Sequence, residues 1–208
     1  MFASLLRMAT KYGFSSVRDQ LVKDLKSAYP TKWEDFEAAK ILGEDIFGSP
    51  KPHPNAVLNL FEAQDVRFAI PLAAYRASLG GFSVLVSDKP DAVLSRPTLA
   101  SVVYGGGEIQ RVMIQAAHTI VYEEKSLEVC PDSACVLNVG TRFMARRMKA
   151  LSRLHDTILG EGRGSMLTPP SLGNLTCATC AGGIAQTHAV WRKVCWDLLL
   201  AKFSVGAE

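Results

Sequence analysis

The sequence has no cysteine in its first 129 residues and no long hydrophobic run. A membrane-spanning helix needs roughly 18 or more consecutive apolar residues, whereas the most apolar window, residues 68–86, contains Pro71, Arg76 and two adjacent glycines. A secretory signal is not expected either, because no basic stretch, apolar run and small-residue cleavage site follow Met1. We therefore expect no membrane association and a reducing location, the cytoplasm or the nucleus, where disulfides are not the default state of cysteines.

Net charge and recognisable catalytic motifs are also scarce. The chain carries 23 Lys+Arg and 20 Asp+Glu, and the net charge of +3 is too small to indicate a nucleic-acid partner by itself. It contains no H-E-x-x-H, no G-x-S-x-G and no Walker-type phosphate loop. The histidines are isolated from one another along the chain: His53, His118, His155 and His188. Nothing in these patterns argues for an enzyme, and we predict a non-enzymatic protein.

What the sequence does contain is a globular composition with helical periodicity. Its 208 residues, 48% hydrophobic and 21% charged, suit one medium domain or two small ones. Apolar spacing predicts helices over residues 2–12 and from Ser15 or Ser16 to about Ala28. The buried face of the second helix is expected to comprise Val17, Leu21, Val22 and Leu25. No alternating strand of five or more residues precedes Ser126, so we predict an all-α helical bundle of short to medium helices.

Further helices are marked by caps and breakers. Asn55 is a candidate cap for the helix that follows the proline-rich segment GSPKPHP at residues 48–54. Pro71 is expected to kink or interrupt the next helix, and Gly105-Gly106-Gly107 to break the one that starts near Arg96. A last helix is predicted over roughly residues 183–203.

The first 18 residues contain Arg7, Lys11 and Arg18 and no acidic residue before Asp19. This composition weakly resembles a mitochondrial presequence. Five apolar residues at helical spacing favour an ordinary amphipathic helix instead: Leu5, Leu6, Met8, Ala9 and Tyr12.

Four of the five cysteines form two close pairs, Cys130/Cys135 as C-x4-C and Cys177/Cys180 as C-x2-C, separated by 41 residues. Each pair is short enough for both thiolates to bind one ion, and zinc accepts four thiolates in a closed, structural site. We therefore predict a small, zinc-knuckle-like C-terminal element with these four cysteines as ligands. The fifth, Cys195, is predicted to be a core residue.

Other interpretations of the cysteines stay open. They could be buried thiols that only fill space, or Cys177 and Cys180 could form a redox pair, since C-x-x-C is also the spacing of thioredoxin-like motifs. His188, eight residues beyond Cys180, is a substitute ligand candidate.

A basic face on a predicted helix over residues 142–159 leaves a nucleic-acid alternative open. Its members are Arg142, Arg146, Arg147, Lys149 and Arg153. A basic helix beside a zinc knuckle could contact phosphates, but a solvated face is the usual role of such a run, and Glu128, Asp156 and Glu161 dilute its charge. We expect a protein partner, of unknown identity, rather than nucleic acid.

Several segments resemble a known family. Residues 6–12 (LRMATKY), with Val17-Arg18 and Leu21, resemble the helices that close a BTB/POZ domain and lead into its C-terminal extension. Ala28-Tyr29-Pro30, residues 68–75 (FAIPLAAY) and the paired cysteines resemble the C-terminal half of fungal BTB/POZ-domain proteins. The resemblance covers nearly the whole chain and is most specific around Pro71.

This resemblance implies a protein-interaction module, because BTB proteins dimerise and recruit partners, in some lineages cullin-type ubiquitin ligases. The BTB fold itself is expected to precede residue 1, so the chain resembles a fragment, a truncated gene model or a paralogue without that domain, and dimerisation and cullin binding are not carried over. Within the chain, we predict closing helices over 1–29, a helical region over 30–125 and a cysteine-rich element with two long helices over 126–208.

Overall fold

The computed structural model describes residues 1–39, 45–48, 51–120 and 177–203, and these residues are predominantly helical. The helices are α1 (Phe2–Lys11), α2 (Ser15–Ala28), α3 (Trp33–Ala39), α4 (Pro54–Ala63), α5 (Ile70–Leu79), α6 (Phe82–Leu85), α7 (Arg96–His118) and α8 (Ala178–Phe203). Short 3₁₀ turns occupy Asp45–Phe47, Arg67–Ala69 and Pro90–Ala92. These ranges contain no β-strand, which confirms the all-α prediction for them. Among the helices described, none is both long and apolar enough to cross a membrane.

The chain divides into two compact units. One comprises Met1–Gly107 together with Leu198–Glu208, and the other comprises Glu108–Asp197. The predicted boundaries near residues 29 and 125 remain predictions. The C-x4-C pair Cys130/Cys135 and the predicted helix over 142–159 lie outside the described residues.

In the first unit, a chain of aromatic contacts connects α1 to the centre of the core. The ring of Phe2 meets Phe47 edge-on at 5.6 Å between centroids, and Phe47 lies 6.2 Å from Phe61 on α4. Phe61 in turn meets Tyr29, at the end of α2, edge-on at 4.9 Å. The Arg76 guanidinium lies 5.1 Å from the Tyr29 ring centroid, and its Nη1 donates to the Tyr29 hydroxyl at 3.0 Å. These contacts set the position of α1 and α2 against α4 and α5.

A row of polar side chains on α4 holds the segment that leads into α7. Asn55, fully buried, donates from Nδ2 to the carbonyl oxygens of Val84 at 2.8 Å and Ala92 at 3.0 Å. One turn later, Asn59 donates to the carbonyl oxygens of Asp91 and Val93, both at 2.9 Å. These bonds satisfy carbonyl groups that the irregular segment cannot pair within itself.

The start of α7 completes this row. Thr98 donates its hydroxyl to Glu62 Oε1 at 2.9 Å, and the Thr98 N–H donates to the Ser95 hydroxyl at 3.3 Å. Ser95 therefore caps α7, and Pro97 lies in the first turn, where a missing N–H costs no helical bond.

The predicted break at Gly105–Gly107 is wrong, because α7 runs without interruption through all three glycines. Two of them permit close approach of neighbouring groups. A Cβ on Gly105 would lie 2.5 Å from Cε1 of the Phe203 ring, and a Cβ on Gly106 would lie 2.7 Å from Cβ of Ser78. At Gly107, no described atom beyond the adjoining helical backbone lies within 4 Å of the corresponding position. The glycines are thus packing sites within a helix rather than helix breakers.

Three other sequence expectations are also corrected. The cap of α4 is His53, whose Nδ1 accepts from the Asn55 N–H at 3.3 Å, so Asn55 is free to point its own side chain inward. Pro71 lies in the first turn of α5 and begins that helix instead of kinking it, consistent with its preset φ. The last helix begins at Ala178, five residues earlier than predicted, and includes Gly182 and Gly183.

The glycine triplet provides a matched pair of stability variants. Gly105→Ala should lower the free energy of unfolding by about 1–3 kcal/mol, because the buried Phe203 ring must move to admit a methyl group. Gly107→Ala should raise it by up to about 1 kcal/mol, since alanine favours a helix and meets no neighbour there. Urea unfolding followed by circular dichroism measures both. An equal effect of the two substitutions would contradict the packing of Gly105 on Phe203.

Candidate functional site

Of the four predicted zinc ligands, the described residues include Cys177 and Cys180. Cys177 is half-buried and immediately precedes α8, and Cys180 lies buried in the first turn of that helix. Both are reduced thiols. Cys130 and Cys135 lie outside the described residues, and within the described ranges no three His, Cys, Asp or Glu side chains form a metal-binding group. The last helix thus begins at the second cysteine pair itself and not near residue 183.

The start of α8 suits thiolates electrostatically. The carbonyl oxygen of Cys177 accepts the first helical bond, from the Ala181 N–H at 2.9 Å. The preceding N–H groups of the first turn have no helical acceptor, and with the helix dipole they stabilise negative charge at this end. Two cysteines here can bind a soft metal ion or exchange electrons as a dithiol.

The buried face of α8 carries two further groups from the sequence analysis, Cys195 and His188. Cys195 is 1% exposed, and burial raises the pKa of its thiol to about 12, so it is a protonated core residue as predicted. His188 is also 1% exposed, and burial together with the positive charge of Arg192 lowers its pKa to about 4. The imidazole is therefore neutral at pH 7, and its Nε2 has no hydrogen-bond partner in the described part of the chain.

His188 does not complete a metal site with Cys180. Eight residues of α-helix separate the two, a rise of about 12 Å, whereas ligands of one zinc ion lie about 4 Å apart. The predicted basic face from Arg142 to Arg153 lies outside the described residues, so the nucleic-acid alternative remains a prediction.

A second candidate site is a row of exposed apolar side chains along α1 and the start of α2. We call this surface the α1–α2 stripe. Its members are Met1, Leu5, Met8, Tyr12, Phe14 and Val17, with exposed fractions from 40% at Leu5 to 96% at Met1.

The stripe is continuous. Leu5, Met8 and Tyr12 follow at steps of three and four residues, so they lie side by side on α1. The chain then turns at Gly13, whose φ of +69° is easily adopted only by glycine, and the Tyr12 and Phe14 rings lie 6.2 Å apart across this turn. The adjacent face of α1 is used internally, since Leu6 and Ala9 are buried.

The sequence predicted both helices of this surface but not which apolar residues would be exposed. Leu21 and Leu25 are buried as expected, whereas Val17 is 45% exposed and its predicted burial is wrong. Val17 lies in the first turn of α2 and faces solvent, although Arg18 beside it contacts Gln64, and α1 buries only part of its apolar circumference. The spacing of Leu5, Met8 and Tyr12, offset from Leu6 and Ala9, was the available signal for a second apolar face.

The stripe has a basic border. Arg7 and Lys11 are exposed on α1, and Lys11 Nζ lies 5.3 Å from the centre of the Tyr12 ring. Arg18, half-buried, donates to the Gln64 carbonyl oxygen at 3.4 Å. With no acidic residue before Asp19, this border attracts negative charge.

Compared with known proteins, the chain matches no family model, and neither curated proteins nor solved structures show a significant similarity to it. The BTB/POZ resemblance therefore depends on the segments quoted above.

The buried His188 predicts a pH dependence of stability. Its pKa is about 4 in the folded protein and about 6.5 when unfolded, so acid favours the unfolded chain. The stabilisation of the neutral imidazole is complete above pH 6.5 and is lost as the pH falls toward 4, with a total of up to about 3 kcal/mol.

Urea unfolding at several pH values between 4 and 7 measures this dependence. The difference in unfolding free energy between the wild type and His188→Gln should change by about 3 kcal/mol over this range. His118→Gln, which replaces an exposed histidine of α7, is the control for the substitution itself. A constant difference between the wild type and His188→Gln over this pH range would contradict the buried neutral imidazole.

Proposed function

We propose that this chain is a non-enzymatic protein-interaction module, and that the α1–α2 stripe is its docking surface. The observation that carries this proposal is the exposure of six large apolar side chains in one continuous row. Folded monomers rarely expose extended apolar rows, and those that do generally use them to bind another molecule. Because the side chains of the stripe are already exposed, a partner can contact them while Leu6 and Ala9 stay buried.

The identity of the exposed side chains supports a protein partner. Aromatic residues and methionine are enriched in protein interfaces, and the stripe contains Met1, Met8, Tyr12 and Phe14. The resemblance of residues 6–12 to helices of fungal BTB/POZ proteins supports the same function, because the helical extension in that family helps to position partners. We place this interaction in the cytoplasm or nucleus.

Site-specific photo-crosslinking in the cell that makes the protein tests this function. A photoreactive phenylalanine analogue in place of Met8, in the centre of the stripe, should give discrete crosslinked protein bands. The same analogue in place of Thr10, which is exposed on the opposite face of α1, is the positional control and should not give them. Adding Leu5→Ser to the Met8 probe should reduce the yield about tenfold, because burial of one leucine contributes about 1.5–3 kcal/mol.

Identical bands from both positions, or bands that persist with Leu5→Ser, would contradict a role of the stripe in binding. Circular dichroism of each variant should match the wild type, since Leu5, Met8 and Thr10 are exposed and none of them belongs to the buried core.

We also propose that Cys130, Cys135, Cys177 and Cys180 hold a structural zinc ion in the C-terminal part of the chain. One observation supports this: Cys177 and Cys180 lie together at a helix start, which favours thiolates. Cys195 does not take part, because fifteen residues of helix, a rise of about 22 Å, separate it from Cys180.

Metal analysis of purified protein tests the zinc site. The wild type should contain one zinc per chain, and Cys177→Ser should contain little or none, because a lost ligand opens the tetrahedral site. Cys195→Ala is the matched control and should keep its zinc. Equal zinc in the wild type and Cys177→Ser, or none in either, would contradict the site. A reversible Cys177–Cys180 disulfide in metal-free wild type would instead support the redox alternative.

A further inference from the structure

We propose that the partner of the α1–α2 stripe is an acidic amphipathic helix of another protein, which packs lengthwise along α1. This inference rests on the proposed interaction function and specifies the chemistry of its partner. It is carried by the spacing of the stripe, its width and its border of charge.

The spacing of the stripe matches a helix–helix seam. Met1, Leu5, Met8 and Tyr12 follow one another at steps of four, three and four residues. This alternation is that of the a and d positions at which two helices interdigitate their side chains. A second helix laid along α1 would therefore meet apolar side chains on every turn.

The width of the stripe favours a single helix over a membrane surface. Leu6 and Ala9, which would extend the apolar face of α1, are already buried within the first unit. The apolar surface that remains exposed on α1 is one narrow row, whereas membrane-surface helices immerse a broad apolar face in the lipid. A partner helix needs only such a row, because each of its side chains inserts between those of α1.

The Tyr12 and Phe14 end of the stripe provides an anchor for the partner. The two rings lie 6.2 Å apart and are each more than half exposed, so a side chain inserted beside them would bury aromatic surface on both. Aromatic residues of this kind contribute a large share of binding energy at interfaces.

The positive charge around the stripe favours a partner with negatively charged residues. Lys11 adjoins Met8 and Tyr12, Arg7 lies one turn earlier, and residues 1–18 contain no acid. Acidic residues flanking the seam of the partner helix would pair with these side chains. A second copy of this chain, docked stripe to stripe, would instead bring lysine and arginine together, so the border disfavours self-association.

Binding of three labelled helical peptides to the full chain tests this proposal. The peptides share leucine at the a and d positions and differ only at the flanking positions, which are glutamate, glutamine or lysine. Fluorescence anisotropy should show the glutamate peptide binding at least about tenfold more tightly than the lysine peptide, because like charges are placed together in the latter. The preference should shrink with added salt.

Two variants locate the interaction. Lys11→Glu should reverse or abolish the preference for the glutamate peptide while leaving the apolar seam intact. Met8→Ser should weaken binding of all three peptides, and Thr10→Ser, on the opposite face of α1, is the matched control that should change nothing. All three side chains are exposed, so these variants are expected to fold as the wild type does.

The outcomes separate this proposal from the proposed function. Equal binding of the three peptides would overturn the acidic partner and leave the interaction function standing. Tighter binding to phosphatidylserine vesicles than to the glutamate peptide would overturn a helical protein partner. Dimers in sedimentation that depend on the stripe would show that its partner is a second copy of this chain and would overturn a partner from another protein. If no peptide binds but the Met8-specific crosslinks persist, the partner is not a helix, and the docking surface is retained. Absence of both would overturn the docking surface itself.

Discussion

The first unit depends most on the hydrogen bonds that the buried Asn55 amide donates. Its Nδ2 holds the carbonyl oxygens of Val84 and Ala92, and so attaches to α4 a segment with little regular structure of its own. The same helix carries Phe61, through which the aromatic contacts reach Tyr29 and α1. Because a buried carbonyl without a donor costs about 1–3 kcal/mol, α4 with Asn55 determines where the surrounding elements lie.

The α1–α2 stripe follows from this arrangement of the core. The aromatic contacts draw only the face of α1 near Phe2, Leu6 and Ala9 toward α4. An amphipathic helix whose apolar circumference exceeds what its own fold can cover leaves the remainder in water. Here the exposed apolar surface is the α1–α2 stripe, a single row of side chains with a basic border. The width and the charge of the stripe, as well as its hydrophobicity, define what can bind to it.

Local pattern and long-range packing contributed differently to what could be predicted. The bounds of α1 and α2 followed from helical spacing, because periodicity acts over one or two turns. The continuity of α7 through its three glycines could not be predicted from local pattern, because Gly105 packs against Phe203, almost a hundred residues away in the sequence. The inward orientation of the Asn55 side chain could not be predicted either, since the predicted cap was Asn55 whereas the observed cap is His53.

The sequence by itself determined the helical class, the amphipathic character of α1, the clustering of cysteines toward the C-terminus and the absence of acid before Asp19. These are properties of composition and short-range spacing. The burial of Leu6 and Ala9 and the exposure of Leu5, Met8 and Tyr12 became known from the packing of the folded chain. The physical reason is that periodicity shows which residues share a helix face, whereas burial depends on the shape and area of whatever packs against that face.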